Sequence, residues 1–478
     1  VTAIEPEDRT TGRMPGVGTW RAGPLVVLAL LFCVNLSNNL DRSILFILAQ
    51  PIKEEFALAD WQLGLMNGFS FSIVFLLLGF PMARLADRGN RSTILSLCIV
   101  AWSAMTALCG ATTTFVQLCL CRAGVGIGEA GCLPASHSLI SDYFPREARI
   151  RALAIYGLGL PLGGLAGAAI GGWVMDLWGW RSVFVIVGLP GIALALAIRL
   201  FVGEPARGRF DAPQVAGGEG RPLSYPDVLR LLWGSPVARN ILIAVVGAGL
   251  AASPNGVFLG PYLIRRFHIG FTELGFALAL TFMLGSAIST FGGGQLIHRL
   301  ARRDERWSMW IPAIGALLSV PLHLAAYAQP TWQGMVVLLF FASVASATYL
   351  APCFAILHGI VGPTGRAKAS VIVQFAFSLM AINIGPFLSG LAIDKVAGRL
   401  FAQFAVGPFA TICPGGHAHG AAAGLDATCG AVLADATRIV IVCFLASMIW
   451  PALHFLLAAR AMGRVDPPNV RLSDEWRA

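Results

Sequence analysis

Apolar residues in this chain come in long unbroken runs and not in the alternating or one-in-three patterns of water-soluble elements. Each run reaches about 20 residues, the length an α-helix needs to cross the hydrocarbon core of a bilayer. Twelve such runs are expected, over 24–50, 62–83, 92–111, 115–140, 152–175, 182–202, 239–264, 272–297, 307–328, 333–358, 368–392 and 438–461. Lipid leaves no partner for an open backbone group, so the runs predict helices and not an open sheet. The expected fold class is therefore an all-α membrane protein, with twelve transmembrane helices in two six-helix bundles.

Residues 203–237, rich in Gly, Pro and Arg, separate the runs six and six. The expected organisation is an N-terminal tail over 1–23, a first bundle over 24–202, the linker, a second bundle over 238–462 and a tail over 463–478. A long loop over 393–437 would interrupt the second bundle. The halves repeat one another. The stretch from Asp60 to Arg91 aligns with Phe271 to Arg302, placing Leu63-Gly64 on Leu274-Gly275 and Arg88 on Arg299. The fifth and eleventh runs both begin Arg-Ala, at Arg151 and Arg366. Two halves repeated in one orientation are the plan of a secondary transporter whose site lies between them.

Composition agrees with this. Hydrophobic residues make up 56% of the 478 positions and charged residues only 12%, about half the usual share in soluble domains. The net charge of +9 reads as an orientation signal. Most Lys and Arg fall in the tails and in the loops after even-numbered runs, which predicts both termini on the cytoplasmic side of a bacterial-type inner or plasma membrane. Residues 1–23 lack the apolar centre of a signal peptide, and the first run is too long for one, so it is expected to be retained. The cations are dispersed over short loops with no recognition motif, so nucleic acid is not an expected partner. No metal or cofactor is implied. Of the ten cysteines, Cys413 and Cys429 share the long loop expected outside, where a disulfide persists.

Four ionisable residues lie deep within runs: Asp41 and Arg42 in the first, Arg122 and Glu129 in the fourth. Each costs at least about 2.5 kcal/mol at the bilayer centre, and such residues usually face a cavity or proton path. Arg122 and Glu129 are seven residues apart, about 20° short of two helical turns, so they share one face. Arg122 keeps its charge at any accessible pH and suits an anionic head group. Glu129 and Asp41 can exchange a proton. Arg42 follows Asp41 by about 100°, so one of the two is expected to face a cavity and the other a neighbouring helix. Gly124, Gly126 and Gly128 serve either helix packing or close approach of a substrate. Weaker cavity candidates are Asn35, Ser37, Asn38 and Asn39 in the first run, His137 in the fourth, and Tyr349, Gln374 and Asn383 in the tenth and eleventh. Spans 7 to 11 carry no charge in their middles, which would give the cavity an apolar C-terminal wall.

The loop "ARLADRGNR" (83–91) resembles the signature between the second and third helices of the major facilitator superfamily, with Leu85, Asp87, Arg88 and Arg91 on the motif. Ala83 and Asn90 stand where the motif has glycine, and His298 replaces the aspartate in the second half. The resemblance implies that Asp87 contacts the eleventh helix and holds an inner gate. "NNLDR" (38–42), "RAGVGIGEA" (122–130) and "SDYFPREARIRALAIYGLGLPLGG" (141–164) are similar to the Spinster family. That family handles sphingoid phosphates and lysolipids. The expectation is a monomeric, proton-linked carrier of an amphipathic anion such as a lysolipid, working by alternating access among membrane lipids. A proton-coupled carrier of small organic anions is the alternative. An intramembrane enzyme is a remote one, since Ser136 and His137 leave their helix about 100° apart and no third group joins them.

Overall fold

The structure is a computed structural model that describes residues 23–207, 209–210, 223–362, 365–404, 407–418 and 423–463. Both expected tails, apart from Gly23 and Gly463, and part of the linker lie outside the described residues.

Span 1 runs Pro24–Glu55, with proline at a first-turn position where its missing N–H leaves no gap. Span 2 is built of Asp60–Asn67 and Phe69–Arg88, meeting at Gly68. Span 3, Arg91–Cys109, starts on Asn90, whose side chain accepts from the Thr93 amide at 2.8 Å. Span 4 consists of Phe115–Glu129 and Cys132–Tyr143. The next apolar stretch, Arg151–Phe201, is 51 residues long, about twice what one crossing requires. Gly179 divides it into spans 5 and 6 with φ 76°, a backbone value that glycine adopts without strain.

The second half repeats the plan. Span 7 is Pro236–Phe267, capped by Ser235. Span 8 extends from Phe271 to Ala301 through two π-helical turns, span 9 is Trp307–Tyr327, and span 10 covers Trp332–Val361. Span 11 joins Arg366–Ser378 and Gly385–Phe401 through a π-helical turn. Span 12 consists of Ala423–Ala446 and Ile449–Met462.

Two expected boundaries change. Span 11 continues to Phe401 and span 12 begins at Ala423, so the loop expected over 393–437 is much shorter. The apolar window marks only the part of a helix that lipid would cover. Asp394, Lys395, Arg399, Asp426 and Asp435 end the window, but the backbone ladder passes through them. The linker also holds a short helix, Tyr225–Gly234, one residue before span 7.

The halves are packed together at one end only. Toward the end where Gly23 and Gly463 lie, the terminal-side end, each half has its own apolar core, around Leu31, Leu95 and Leu139 in the first and Ile241, Leu357 and Phe455 in the second. At the opposite end one core runs through both halves, from Ile47 and Leu63 to Phe258, Leu274 and Ile393. Cys413 and Cys429 are joined there by a disulfide, S–S 2.04 Å.

Candidate functional site

Span 1 carries a ladder of polar side chains on the face turned to spans 4 and 5. Asn35 Nδ2 donates to the Tyr156 carbonyl at 2.8 Å, and Asn39 Nδ2 donates to the Asn35 carbonyl and side-chain oxygens at 2.8 and 3.0 Å. One turn further lies Arg42. Its Nη2 stands 2.6 Å from Glu129 Oε2 in span 4, and its Nε donates to the same oxygen at 2.8 Å. The guanidinium also rests 4.9 Å from the ring centroids of both Phe71 and Phe75 in span 2, a geometry that stabilises a cation.

These groups line a cavity of about 420 Å³ whose wall includes Asn35, Asn38, Arg42, Glu129, His137 and Tyr156. The Arg42 side chain is 37% exposed and Glu129 is fully buried. Glu129 Oε1 has no hydrogen-bond partner. A buried carboxylate with one oxygen held and the other without a donor can take up a proton on the free oxygen.

The second pair of charges is placed differently. Arg122 Nη1 donates to Asp41 Oδ2 at 3.0 Å, and the Thr106 hydroxyl of span 3 donates to Asp41 Oδ1 at 2.9 Å. Both ionic side chains are at most 2% exposed. The Arg122 guanidinium lies 5.4 Å from the Phe71 ring, on which Arg42 also rests. The shared face of span 4 therefore does not present both charges to the cavity: Glu129 lines it, and Arg122 does not. Helix periodicity places two residues on one stripe, but the stripe is wide enough to meet span 1 at one turn and the cavity two turns later. As expected from the 100° step, Asp41 and Arg42 face apart, with Arg42 toward the cavity.

Other candidates separate in the same way. Asn38 and His137 line the cavity, and the His137 ring stands edge-on to Tyr156 at 5.3 Å. Tyr349, Gln374 and Asn383 are absent from its wall, which among the described residues is drawn from spans 1, 2, 4 and 5. Tyr349 packs on Phe455 at 5.9 Å. Gln374 donates to Ser378 Oγ, and Asn383 to the Ser378 carbonyl. The span 4 glycines serve packing: a Cβ on Gly128 would fall 2.5 Å from the Trp102 amide, and one on Gly126 2.7 Å from the Phe71 carbonyl.

In the loop after span 2, the Asp87 side chain lies outside the described residues, and Arg88 is exposed. Arg91 is fully buried and tied within the first half: it pairs with Asp142, with Glu204 at 2.7 Å, and donates to the Pro205 carbonyl at 3.0 Å. It thus fastens spans 3, 4 and 6 at their terminal-side ends.

A second charged centre was missed in the sequence. At the end away from the termini, Asp60 accepts from Lys53 at 2.6 Å and from Arg265 at 2.7 Å, and Arg265 reaches Gln50 and Thr437 as well. All three ionic side chains are at most 3% exposed. Lys53 and Arg265 sit near the ends of spans 1 and 7, where they counted as orientation charges. Their matching positions in the two halves were the available signal.

The sequence profile of the Major Facilitator Superfamily matches residues 31–322 and 241–414. The chain belongs to that superfamily. It is 33% identical over 384 residues, 79% of its length and 86% of the relative's, to an MFS-type efflux pump of Mycolicibacterium smegmatis. It is 27% identical to a sphingosine-1-phosphate transporter of Danio rerio, covering 78% of this chain and 77% of that one. It is 24% identical to a probable L-galactonate transporter of Escherichia coli, covering 77% and 82%. The fold matches, with TM-score 0.83 and 28% identity, a bacterial homologue of the human lysosomal transporter Spinster in its inward-facing, unoccupied conformation, covering 95% of this chain and all of that one. The protein is thus a Spinster-like transporter of the alternating-access type and a multi-pass integral membrane protein, not an enzyme.

Proposed function

We propose that this Spinster-like transporter couples the movement of an amphipathic anion to protons, and that the Arg42–Glu129 pair is where the two meet. The observation that carries the reading is an ion pair on a cavity wall with one carboxylate oxygen unpartnered. An anionic head group entering the cavity competes with Glu129 for the Arg42 guanidinium. A buried carboxylate that loses its cation is left with a desolvation cost of several kcal/mol, and taking up a proton removes that cost. Anion binding at Arg42 and proton uptake at Glu129 are then linked. Asn38 and His137 supply further polar contacts to the head group. Arg122–Asp41 holds spans 1 and 4 in register behind the site.

The concentration of Lys and Arg at the terminal-side loops supports an arrangement with both termini cytoplasmic, in which the joined ends of the halves face outward. Similarity to a sphingosine-1-phosphate transporter favours a lipid-like cargo. Similarity to a sugar-acid transporter, and a cavity wall drawn from one half, favour the second reading, a small organic anion.

Competition by a homologous series of lysolipids with one head group separates them. Each methylene buried contributes about 0.8 kcal/mol, so under the lipid reading affinity climbs about fourfold per methylene until the cavity is filled. A flat series, together with strong competition by short sugar acids, would replace the lipid reading with the organic-anion one.

A further inference from the structure

The end away from the termini is closed by two contacts that repeat one construction. Span 5 ends Gly172-Trp173-Val174-Met175-Asp176, and span 11 carries Gly390-Leu391-Ala392-Ile393-Asp394 at the corresponding place. The Asp394 carboxylate accepts from the Asp60 and Trp61 amides, both at 3.0 Å, the first two of span 2. The Asp176 carboxylate accepts from the Phe271 and Thr272 amides at 3.2 and 2.8 Å, the first two of span 8. Asp60 and Phe271 are equivalent in the internal repeat. In each case the carboxylate on one half binds the exposed amides of a helix start on the other, which also carries the positive end of that helix dipole. The third residues match too: Gln62 accepts from the Ala59 amide and Glu273 from the Gly270 amide.

Glycines four residues away let the backbones meet. A Cβ on Gly390 would fall 2.4 Å from the Asp60 carbonyl oxygen, and one on Gly172 2.2 Å from that of Phe271. Reciprocally, a Cβ on Gly64 would meet the Pro386 carbonyl oxygen at 2.3 Å, and one on Gly275 that of Ala168 at 2.2 Å. Both pairs of partners keep the same register.

We propose that these two glycine-plus-carboxylate clasps are the closure of this end, that they release when the carrier opens there, and that they are unequal. The clasp between spans 2 and 11 is partly buried and adjoins the Lys53–Asp60–Arg265 network, so its hydrogen bonds compete with little water. The clasp between spans 5 and 8 is exposed and gains only the Thr272 hydroxyl, 2.5 Å from Asp176. Asp394 therefore holds the end shut more strongly than Asp176. Substrate identity does not enter this inference, so it stands or falls apart from the proposed function.

The test is electron-electron distance measurement between spin labels on Thr113→Cys and Pro330→Cys, in loops at this end of the two halves, with exposed Cys33 and Cys443 changed to serine. The protein is purified and reconstituted in nanodiscs. Asp394→Ala should raise the ratio of long to short distances by tenfold or more, Asp176→Ala by less, and the double variant by the most. Label pairs at the terminal-side end should shorten in step. If the alanine variants do not fold, Asp394→Asn and Asp176→Asn keep the side-chain volume and carry the same comparison with smaller shifts. Unchanged distances in the folded double variant would overturn the proposal. So would an Asp176 effect as large as that of Asp394, or loosening at this end with no change at the other.

Discussion

Spans 1 and 4 exchange two ion pairs of the same composition, arginine with carboxylate, and the surroundings separate them. Arg122–Asp41 is enclosed on all sides, with Thr106 filling the second carboxylate oxygen. Arg42–Glu129 opens on a cavity through an arginine that is 37% exposed, and the buried Oε1 of Glu129 has no hydrogen-bond partner. A closed pair cannot change state without great cost, because removing either charge leaves the other buried out of reach of water. An open pair can, because a ligand entering the cavity reaches its arginine. In the proposed mechanism the first is a fastening and the second the moving part.

The sharpest way to break that distinction is to remove each arginine. Arg122→Ala leaves Asp41 buried and uncompensated, and a broken buried pair typically costs about 3–5 kcal/mol. A large fall in melting temperature is expected in detergent-purified protein. Arg42→Ala should lower it far less, because Glu129 borders the cavity and can take a proton, yet it should abolish anion binding measured by calorimetry. Equal losses of stability in the two variants would erase the difference between the pairs.

A smaller effect sharpens it from the side of Asp41. Thr106→Val removes the hydroxyl donor but keeps the shape, leaving one Asp41 oxygen without that bond, at a cost of about 1–3 kcal/mol. Melting temperature should fall and the pH response of transport should not. A changed pH response would mean that Asp41 takes part in coupling.

The smallest expected effect concerns the aromatic wall. Phe71 touches both guanidiniums, whereas Phe75 touches only Arg42. A cation–π contact contributes about 0.5–2 kcal/mol. Phe75→Leu should therefore change anion affinity several-fold and leave stability nearly untouched, whereas Phe71→Leu should disturb both. Identical behaviour of the two would argue that the rings serve packing alone.

Fold and site differ in how far they could be read from the chain. Apolar runs of crossing length announce spans directly, since lipid demands an unbroken helix. The break expected between 175 and 182 falls at Gly179, but the outer ends of spans 11 and 12 continue through charges that end the hydropathy signal. The four intramembrane charges stood out because an apolar background makes them costly. Their pairing did not, because spacing assigns a side chain to a helix face without saying which neighbour that face meets. Hence Arg122, expected on the cavity wall with Glu129, lies behind it, while Arg42 is the member of the Asp41–Arg42 pair that faces the cavity. Lys53, Asp60 and Arg265 were hidden for the opposite reason: near helix ends charge is ordinary, and only folding shows these three to be buried. Asp176 and Asp394 were not singled out: their repeated Gly-x-x-x-Asp emerges only when the two halves are aligned at their fifth and eleventh spans.

The most direct test of the open pair is proteoliposome flux under an imposed pH gradient, comparing Glu129→Gln with Asp41→Asn. Glutamine keeps the size of the side chain but cannot exchange the proton. The proposed mechanism predicts that Glu129→Gln transports without responding to the gradient, while Asp41→Asn, once allowance is made for its lower stability, still responds. A Glu129→Gln protein that follows the gradient like wild type, with the response lost in Asp41→Asn instead, would contradict it and move the coupling site to the enclosed pair.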